Sequence, residues 1–241
     1  MASHQLSAAE LLDAVSICRD RPAAEAGVHL ATLAARGLSF DACAHLAIGA
    51  RDAALAGLYE AMFGRQLELA ATCPGCGTRL DVSLTTAALL FEPGEAVAPT
   101  IKIGRRRFGV RPVDSEDLAA AAEIAELEAA RELLARRCLV PADGKSVPGA
   151  LSSGQVDAVA AALAAVDPGS DLYVPLTCFR CEAAWDAPID IARVLAAELS
   201  TAADTLLGDI HDLALAYHWS EDAILALAPS RRQAYLQRLR G

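Results

Sequence analysis

The fold of this chain is predicted first from two short stretches with paired cysteines. They are Cys73-Pro74-Gly75-Cys76-Gly77 and Cys178-Phe179-Arg180-Cys181. Each follows a run of residues that predicts a β-strand and precedes another, so each lies in a hairpin turn. Two cysteines at this spacing direct both thiolates into the turn, as the knuckles of a zinc ribbon do. We therefore predict one structural zinc ion, bound by Cys73, Cys76, Cys178 and Cys181.

The separation of the two knuckles is unusual for a zinc ribbon, because about a hundred residues lie between them. The ribbon would then be split, with an insertion whose two ends return to it. Two redox-active dithiols, or four unligated cysteines, remain as alternatives. A thioredoxin-type motif lies at a strand-to-helix junction, which the sequence predicts at neither knuckle, so redox chemistry is disfavoured.

The composition is that of a folded, acidic chain. Of its 241 residues, 54% are hydrophobic, which is enough to bury a core and excludes general disorder. The 31 acidic residues outnumber the 21 Lys and Arg, and the net charge of −10 disfavours non-specific binding to nucleic acid. The N-terminus lacks the basic region of a secretory signal, and no apolar stretch approaches the roughly 20 residues of a membrane span. We expect a cytoplasmic bacterial protein with no membrane partner.

Helix and strand signals predict an α+β fold that is mainly α-helical, with helices around the small zinc ribbon. Four regions follow: an N-terminal helical region at 1–65, the split ribbon at 66–90 and 170–188, an inserted hairpin with helices at 91–169, and a C-terminal helical region at 189–241.

Several element boundaries can be predicted within these regions. Ser7 with Glu10 forms a capping box that begins a helix, and Ser152 caps another. One long helix is predicted from Asp114 or Ser115 to Cys138. The C-terminal helical region is expected to be interrupted at Ser200, Ser220 and Pro229.

We predict that the chain is not an enzyme. His211-Asp212 is a pair that some metal phosphohydrolases use, but no further ligand at a suitable spacing accompanies it. The sequence contains no glycine-rich phosphate loop, G-x-S-x-G elbow or H-E-x-x-H motif. A hydrogen-bonded or solvent-exposed His-Asp pair is the simpler interpretation.

Arg105, Arg106 and Arg107 crowd the turn of the inserted hairpin and form a positive patch on an acidic chain. Such a patch can contact an acidic protein or a nucleic acid, or can be an ordinary solvated turn. The lack of interleaved aromatic residues disfavours nucleic acid. A zinc-ribbon regulatory protein that binds nucleic acid is the alternative function.

Three groups of residues, taken in order, resemble a known family. They are Leu46–Ala53 with Met62–Gly64 and the first knuckle, Val113–Leu118 with Leu133–Leu139, and His211–Glu221 with Arg231–Leu236. Together with the box Tyr217-His218-Trp219-Ser220-Glu221, they resemble the T-even-phage-type baseplate hub assembly chaperone family of contractile phage tails and phage-tail-like injection systems. The second knuckle departs from the family pattern because it lacks Pro and Gly, which leaves its geometry open.

The resemblance implies a non-enzymatic assembly chaperone, or a minor component, of the baseplate hub of a contractile tail. Its expected partner is a hub or baseplate subunit. We place partner binding at Tyr217, His218 and Trp219, together with Arg105, Arg106 and Arg107, because amphipathic aromatic rings are favoured at interface centres. Burial of the aromatic box in a helix–helix joint is the open alternative.

Overall fold

A computed structural model of the protein describes residues 4–89, 99–142, 144 and 146–240. Helices make up 56% and strands 16% of the structure, which confirms the prediction of a mixed, mainly helical chain.

Within the described residues before the first strand lie α1 (Ala8–Cys18), α2 (Ala23–Ala34), α3 (Phe40–Ala44) and α4 (Ile48–Phe63). The Ser7 hydroxyl accepts a hydrogen bond from the Glu10 N–H, and the Glu10 carboxylate accepts one from the Ser7 N–H. This reciprocal pair satisfies two donors that a helix end otherwise leaves free, and it confirms the predicted start of α1.

Two antiparallel hairpins carry the cysteine knuckles. β1 (Gln66–Thr72) pairs with β2 (Arg79–Thr85), and β6 (Tyr173–Thr177) pairs with β7 (Ala184–Pro188). Exposure alternates along all four strands, with side chains such as Leu69 on the less exposed faces. The hairpins form separate two-stranded sheets. Because an isolated two-stranded hairpin is marginally stable at best, each depends on its surroundings.

The described residues between these hairpins form a three-stranded antiparallel sheet and three α-helices. Its elements are β3 (Thr100–Ile103), β4 (Arg106–Val110), α5 (Ser115–Ala122), α6 (Leu127–Arg137), β5 (Leu139–Pro141) and α7 (Ser153–Val166). The β3–β4 hairpin and the Ser152 cap of α7 confirm the predictions. β5 was not predicted, because three residues are too few for a periodic signal.

The single helix predicted to reach Cys138 is wrong, because the chain turns between α5 and α6. The turn brings Arg137 back to Asp117, whose Oδ1 accepts a hydrogen bond from Arg137 Nε at 2.6 Å. In a continuous helix these two residues, 20 positions apart, would be separated by about 30 Å. The tertiary ion pair therefore favours two helices over one.

The C-terminal part contains α8 (Ile191–Tyr217), α9 (Glu221–Leu225) and α10 (Pro229–Arg240). The interruption predicted at Ser200 is wrong, because the buried stripe of Leu195, Leu199 and Ala203 continues across it at helical spacing. Ser220 caps α9 as predicted. No helix in the described part of the chain is both long and apolar enough to cross a membrane.

The described residues form two hydrophobic clusters. The larger cluster joins helices from both ends of the chain through residues such as Leu30, Leu55 and Leu199. The smaller cluster lies within the inserted segment, around Phe108 and Val159. The predicted boundary at 90–91 lies outside the described residues, and the division into domains stays a prediction.

Candidate metal centre

Four thiols from the two knuckles meet at one point. Cys73 Sγ lies 3.6 Å from Cys181 Sγ, and Cys76 Sγ lies 3.6 Å from Cys178 Sγ. All four sulfurs lie within 4.8 Å of one another, and no other group of this kind is found among the described residues. Sulfurs bound at 2.3 Å around a tetrahedral metal are about 3.8 Å apart. The four cysteines are therefore close enough to bind a metal ion, in an arrangement compatible with one structural metal.

The first knuckle is a tight turn closed by its own backbone. Cys73 N–H donates to the Thr78 carbonyl, and Gly77 N–H donates to the Cys73 carbonyl, each at 2.9 Å. Gly77 has a φ of 70°, which glycine adopts without steric cost. Gly75 lies beside the sulfurs, since a Cβ at this position would be 3.5 Å from Cys181 Sγ. The backbone of the turn thus approaches the site closely.

The second knuckle has the same geometry without Pro or Gly. Cys178 N–H donates to the Ala183 carbonyl, and Glu182 N–H donates to the Cys178 carbonyl, again at 2.9 Å. Glu182 stands where the first knuckle has Gly77 and has a φ of 58°. This left-handed conformation costs about 1–2 kcal/mol for a residue other than glycine. The second turn therefore has the same backbone hydrogen bonds as the first, with strain at Glu182.

The groups around the thiols, including the neighbouring thiols, change their pKa values. The hydroxyl and N–H of Thr78 lower the pKa of Cys76 to about 6. The N–H of Ala183 lowers the pKa of Cys181, but hydrogen bonding to Cys76 and Cys73 outweighs it and raises this pKa to about 12. A second thiolate so close to the first is disfavoured by repulsion between like charges. A bound cation removes that repulsion and allows all four thiols to act as anionic ligands.

The site lies where the two hairpins reach the surface. Cys73 and Cys178 are buried, while Cys76 and Cys181 are exposed. Phe179, at the tip of the second knuckle, is 78% exposed. The buried pair follows β1 and β6 directly, so a metal held here would join the ends of two sheets that share no strand.

The predicted aromatic residues lie in a joint between the end of α8 and α10. The rings of Tyr217 and Trp219 stack with centroids 4.8 Å apart, and Tyr235 lies edge-on to both at 5.6 and 4.9 Å. These three side chains are partly buried against the larger core. His218 is exposed and ends α8 in a left-handed conformation. The rings of Tyr217 and Trp219 thus already pack within the protein. Partner binding by Tyr217, His218 and Trp219 stays a prediction.

The predicted basic residues surround the turn of the β3–β4 hairpin, where Lys102 lies directly opposite Arg107. The Arg106 guanidinium lies 4.8 Å from the centre of the Phe108 ring and donates to the Ser146 carbonyl. Within the described structure, Lys102, Arg105 and Arg107 form no ion pair through their side chains. Like charges directly opposite each other destabilise a hairpin. The turn therefore carries positive charge that an anionic partner can neutralise.

Sequence reasoning missed a buried ion-pair network around Asp117, which is fully buried. Arg111 binds its carboxylate through two hydrogen bonds of 2.6 and 2.9 Å, and Arg137 adds a third. Burial alone would raise the pKa of Asp117, but these arginines lower it to about 2. The one available signal was the capping box between Asp114 and Asp117, which explains the helix start but not the arginines.

A second missed feature is the junction at the start of α4. Ala47 precedes the helix and offers no side-chain cap. Instead, Ile48 N–H donates to the Val113 carbonyl at 3.0 Å, and Gly49 N–H donates to Asp167 Oδ2 at 2.9 Å. Both acceptors belong to the inserted segment, so that segment satisfies donors that the helix start would leave free.

His211-Asp212 shows no metal-binding surroundings, as the only candidate group of ligands among the described residues is the cysteine cluster. His211 is exposed on α8. Comparison with known proteins gives no match to a family model, to a curated protein or to a solved structure. Function must therefore be argued from the residues themselves.

Proposed function

We propose that Cys73, Cys76, Cys178 and Cys181 hold one structural Zn²⁺ and that the two hairpins form a split zinc ribbon. The close approach of the four sulfurs supports this proposal most directly. A donor set of four thiolates suits zinc, which accepts tetrahedral sulfur ligands. Four protein ligands leave no open position for a substrate, so the metal serves stability and not catalysis.

The chain as a whole is proposed to be a non-enzymatic assembly chaperone, or a minor component, of the baseplate hub of a contractile tail or a phage-tail-like injection system. The resemblance of the three groups of residues supports this, and residues of these groups also lie at contacts within the fold. Arg51 of the first group donates to Ser115 Oγ of the second at 3.1 Å. Within the third group, Trp219 packs on Tyr235. Residues that carry the resemblance thus form the joints of the fold.

The proposed partner surface is the basic turn, since Lys102, Arg105 and Arg107 are exposed and lack ion pairs within the described structure. We propose that this turn contacts an acidic segment of a hub or baseplate subunit. The exposed edge of the Tyr217 and Trp219 joint is the second proposed contact. Charge complementarity of this kind raises association rates and selects partners.

Native mass spectrometry of the protein, purified from its own host through a mild affinity tag, tests both proposals. We expect one zinc ion per chain and a tail hub or baseplate subunit identified by mass. The double variant Arg105→Glu/Arg107→Glu should lose the subunit, while Arg19→Glu, at an exposed arginine outside the patch, should keep it. A metal-free protein would contradict the zinc proposal. A protein that binds no tail subunit would contradict the chaperone proposal.

The alternative, a zinc-ribbon regulatory protein that binds nucleic acid, uses the same unpaired basic residues. It predicts that DNA or RNA affinity falls steeply with salt and is lost in the Arg105→Glu/Arg107→Glu variant. The chaperone proposal predicts weak binding to nucleic acid, because the chain carries a net charge of −10.

A further inference from the structure

A cleft of about 340 Å³ lies between the start of α1, the middle of α8 and the start of α10. Its polar lining comes from Ser7, Thr205, Asp209, Arg232 and Gln233. It is separate from the cysteine cluster and from the basic turn, and neither proposed function uses it.

Arg232 is the unusual residue of this cleft. It is only 8% exposed, although it carries a full positive charge. Its Nε and Nη1 atoms are buried, and neither has a hydrogen-bond acceptor within the described structure. A buried donor without an acceptor costs free energy, more so when it is charged. Such a group in a folded protein indicates a ligand or a water that accepts the bond.

The start of α1 adds a second source of positive potential. Ser7 and Ala8 line the cleft, so the first turn of an 11-residue helix faces it. The capping box occupies the N–H groups of Ser7 and Glu10. The intervening N–H groups of the first turn have no partner within the helix, and the helix dipole favours a negative charge beside them.

Among the described residues that line the cleft, Asp209 is the only acidic one. Its Oδ2 accepts a hydrogen bond from Gln233 Nε2 at 3.1 Å, and it makes a further interaction. Asp209 accepts no hydrogen bond from Nε or Nη1 of Arg232, since both of these atoms lack an acceptor within the described structure. Its charge disfavours a ligand with several negative charges close to it. A compact anion held at the Arg232 side is therefore the best fit.

We propose that this cleft binds an oxyanion, a phosphate or a carboxylate group, between Arg232 and the first turn of α1. The guanidinium fork matches the geometry of both groups and binds them through paired hydrogen bonds. The group can belong to a free small molecule or to an acidic side chain of a protein. The inference does not depend on the zinc or chaperone proposals.

Thermal denaturation of the full-length protein in inorganic phosphate, against chloride at equal ionic strength, tests the proposal. We expect phosphate to raise the melting temperature of the wild type and of Arg231→Met, whose exposed arginine is the matched control. Arg232→Met should lose this response, with phosphate affinity reduced about tenfold or more. Arg232→Lys should retain part of it, because the charge remains while the fork is lost.

Two outcomes would overturn the proposal. One is an equal phosphate response in Arg232→Met, which would place the anion elsewhere. The other is no response in the wild type to phosphate, to acetate or to a glutamate-rich peptide, which would mean that water alone solvates Arg232. A response to the peptide but not to the free anions identifies a protein side chain as the source, and the reverse identifies a small molecule.

Discussion

The cysteine cluster and the Asp117 network bring distant parts of the chain together by opposite means. The cluster joins two separate hairpins at the surface through four thiols, two of which are exposed. The network surrounds a fully buried carboxylate, which Arg111 and Arg137 bind from partly exposed positions. Metal ligands need a strict residue type and spacing, so they leave a pattern in the sequence. Arginine and aspartate are common residues, and only the tertiary structure pairs them. Their ion pairs therefore leave no pattern in the sequence.

Loss of one of the four clustered cysteines, the proposed metal ligands, tests the cysteine cluster and should give the largest effect. We expect Cys73→Ser to lose the metal and to misfold or aggregate, because structural zinc in peptide sites contributes on the order of 10–16 kcal/mol. Metal content and thermal melting measure this. Cys18→Ser, at a half-buried cysteine outside the cluster, is the control and should keep the metal. A soluble Cys73→Ser protein with unaltered melting would refute a structural metal.

Asp117→Asn tests the ion-pair network and should cost about 2 kcal/mol, because it removes the charge of the fully buried carboxylate that accepts the hydrogen bonds of Arg111 and Arg137. The figure is modest because both arginine side chains are more than a third exposed, so water can solvate them in the variant. Urea denaturation measures this loss. The folded pKa of about 2 lies below the ordinary value of 3.8, so the carboxylate stabilises the protein above pH 4. That stability should disappear as the pH falls from about 4 to 2. The difference between wild type and variant should shrink over this range, and a pH-independent difference would contradict the ion-pair role.

Gly49→Ala tests whether the inserted segment also stabilises the start of α4. The added Cβ would lie 2.1 Å from Asp167 Oδ1 and 3.0 Å from the backbone of Gly169. We expect a loss of about 1–2 kcal/mol through the displaced Asp167 cap. Gly57→Ala, in the same helix with open space around it, should instead stabilise by up to about 1 kcal/mol. Equal effects in chemical denaturation would exclude a role for the junction.

The smallest expected changes in stability come from substitutions in the two knuckles, which can be compared directly with each other. Glu182→Gly should stabilise the second knuckle by about 1 kcal/mol by relieving the left-handed strain. Gly77→Ala should destabilise the first by a similar amount, because its φ is also positive. Melting of the metal-loaded protein measures both. If the two changes have the same sign, the knuckles are not equivalent in solution.

Much of the fold could be predicted because local chemistry decides it. The capping boxes at Ser7 and Ser152 begin helices where predicted, and alternation along β1 and β2 gives their hairpin. The predictions were wrong where contacts between distant residues override the local preference for starting or ending a helix. The Asp117–Arg137 ion pair divides the helix predicted to reach Cys138, and the buried leucines of α8 carry that helix through Ser200.

The candidate sites also divide into those that a local sequence pattern predicts and those that depend on tertiary contacts. The four cysteines could be found from their spacing, whereas Arg232 could not, because nothing in its neighbourhood along the chain indicates burial without an acceptor. The sequence placed Tyr217 and Trp219 beside a helix cap, but their packing on Tyr235 depends on how α10 crosses α8. Contacts between helices depend on crossing geometry, which no local pattern encodes.

Residue type and short-range spacing account for the mixed helical class, the hairpins, the helix caps and the spacing of the four cysteines. Tertiary structure alone decided that the four thiols converge, that Glu182 adopts the conformation of Gly77, and that Asp117 and Arg232 are buried. Burial changes the free energy of a charge or a donor by removing water, and it arises only when distant segments pack together.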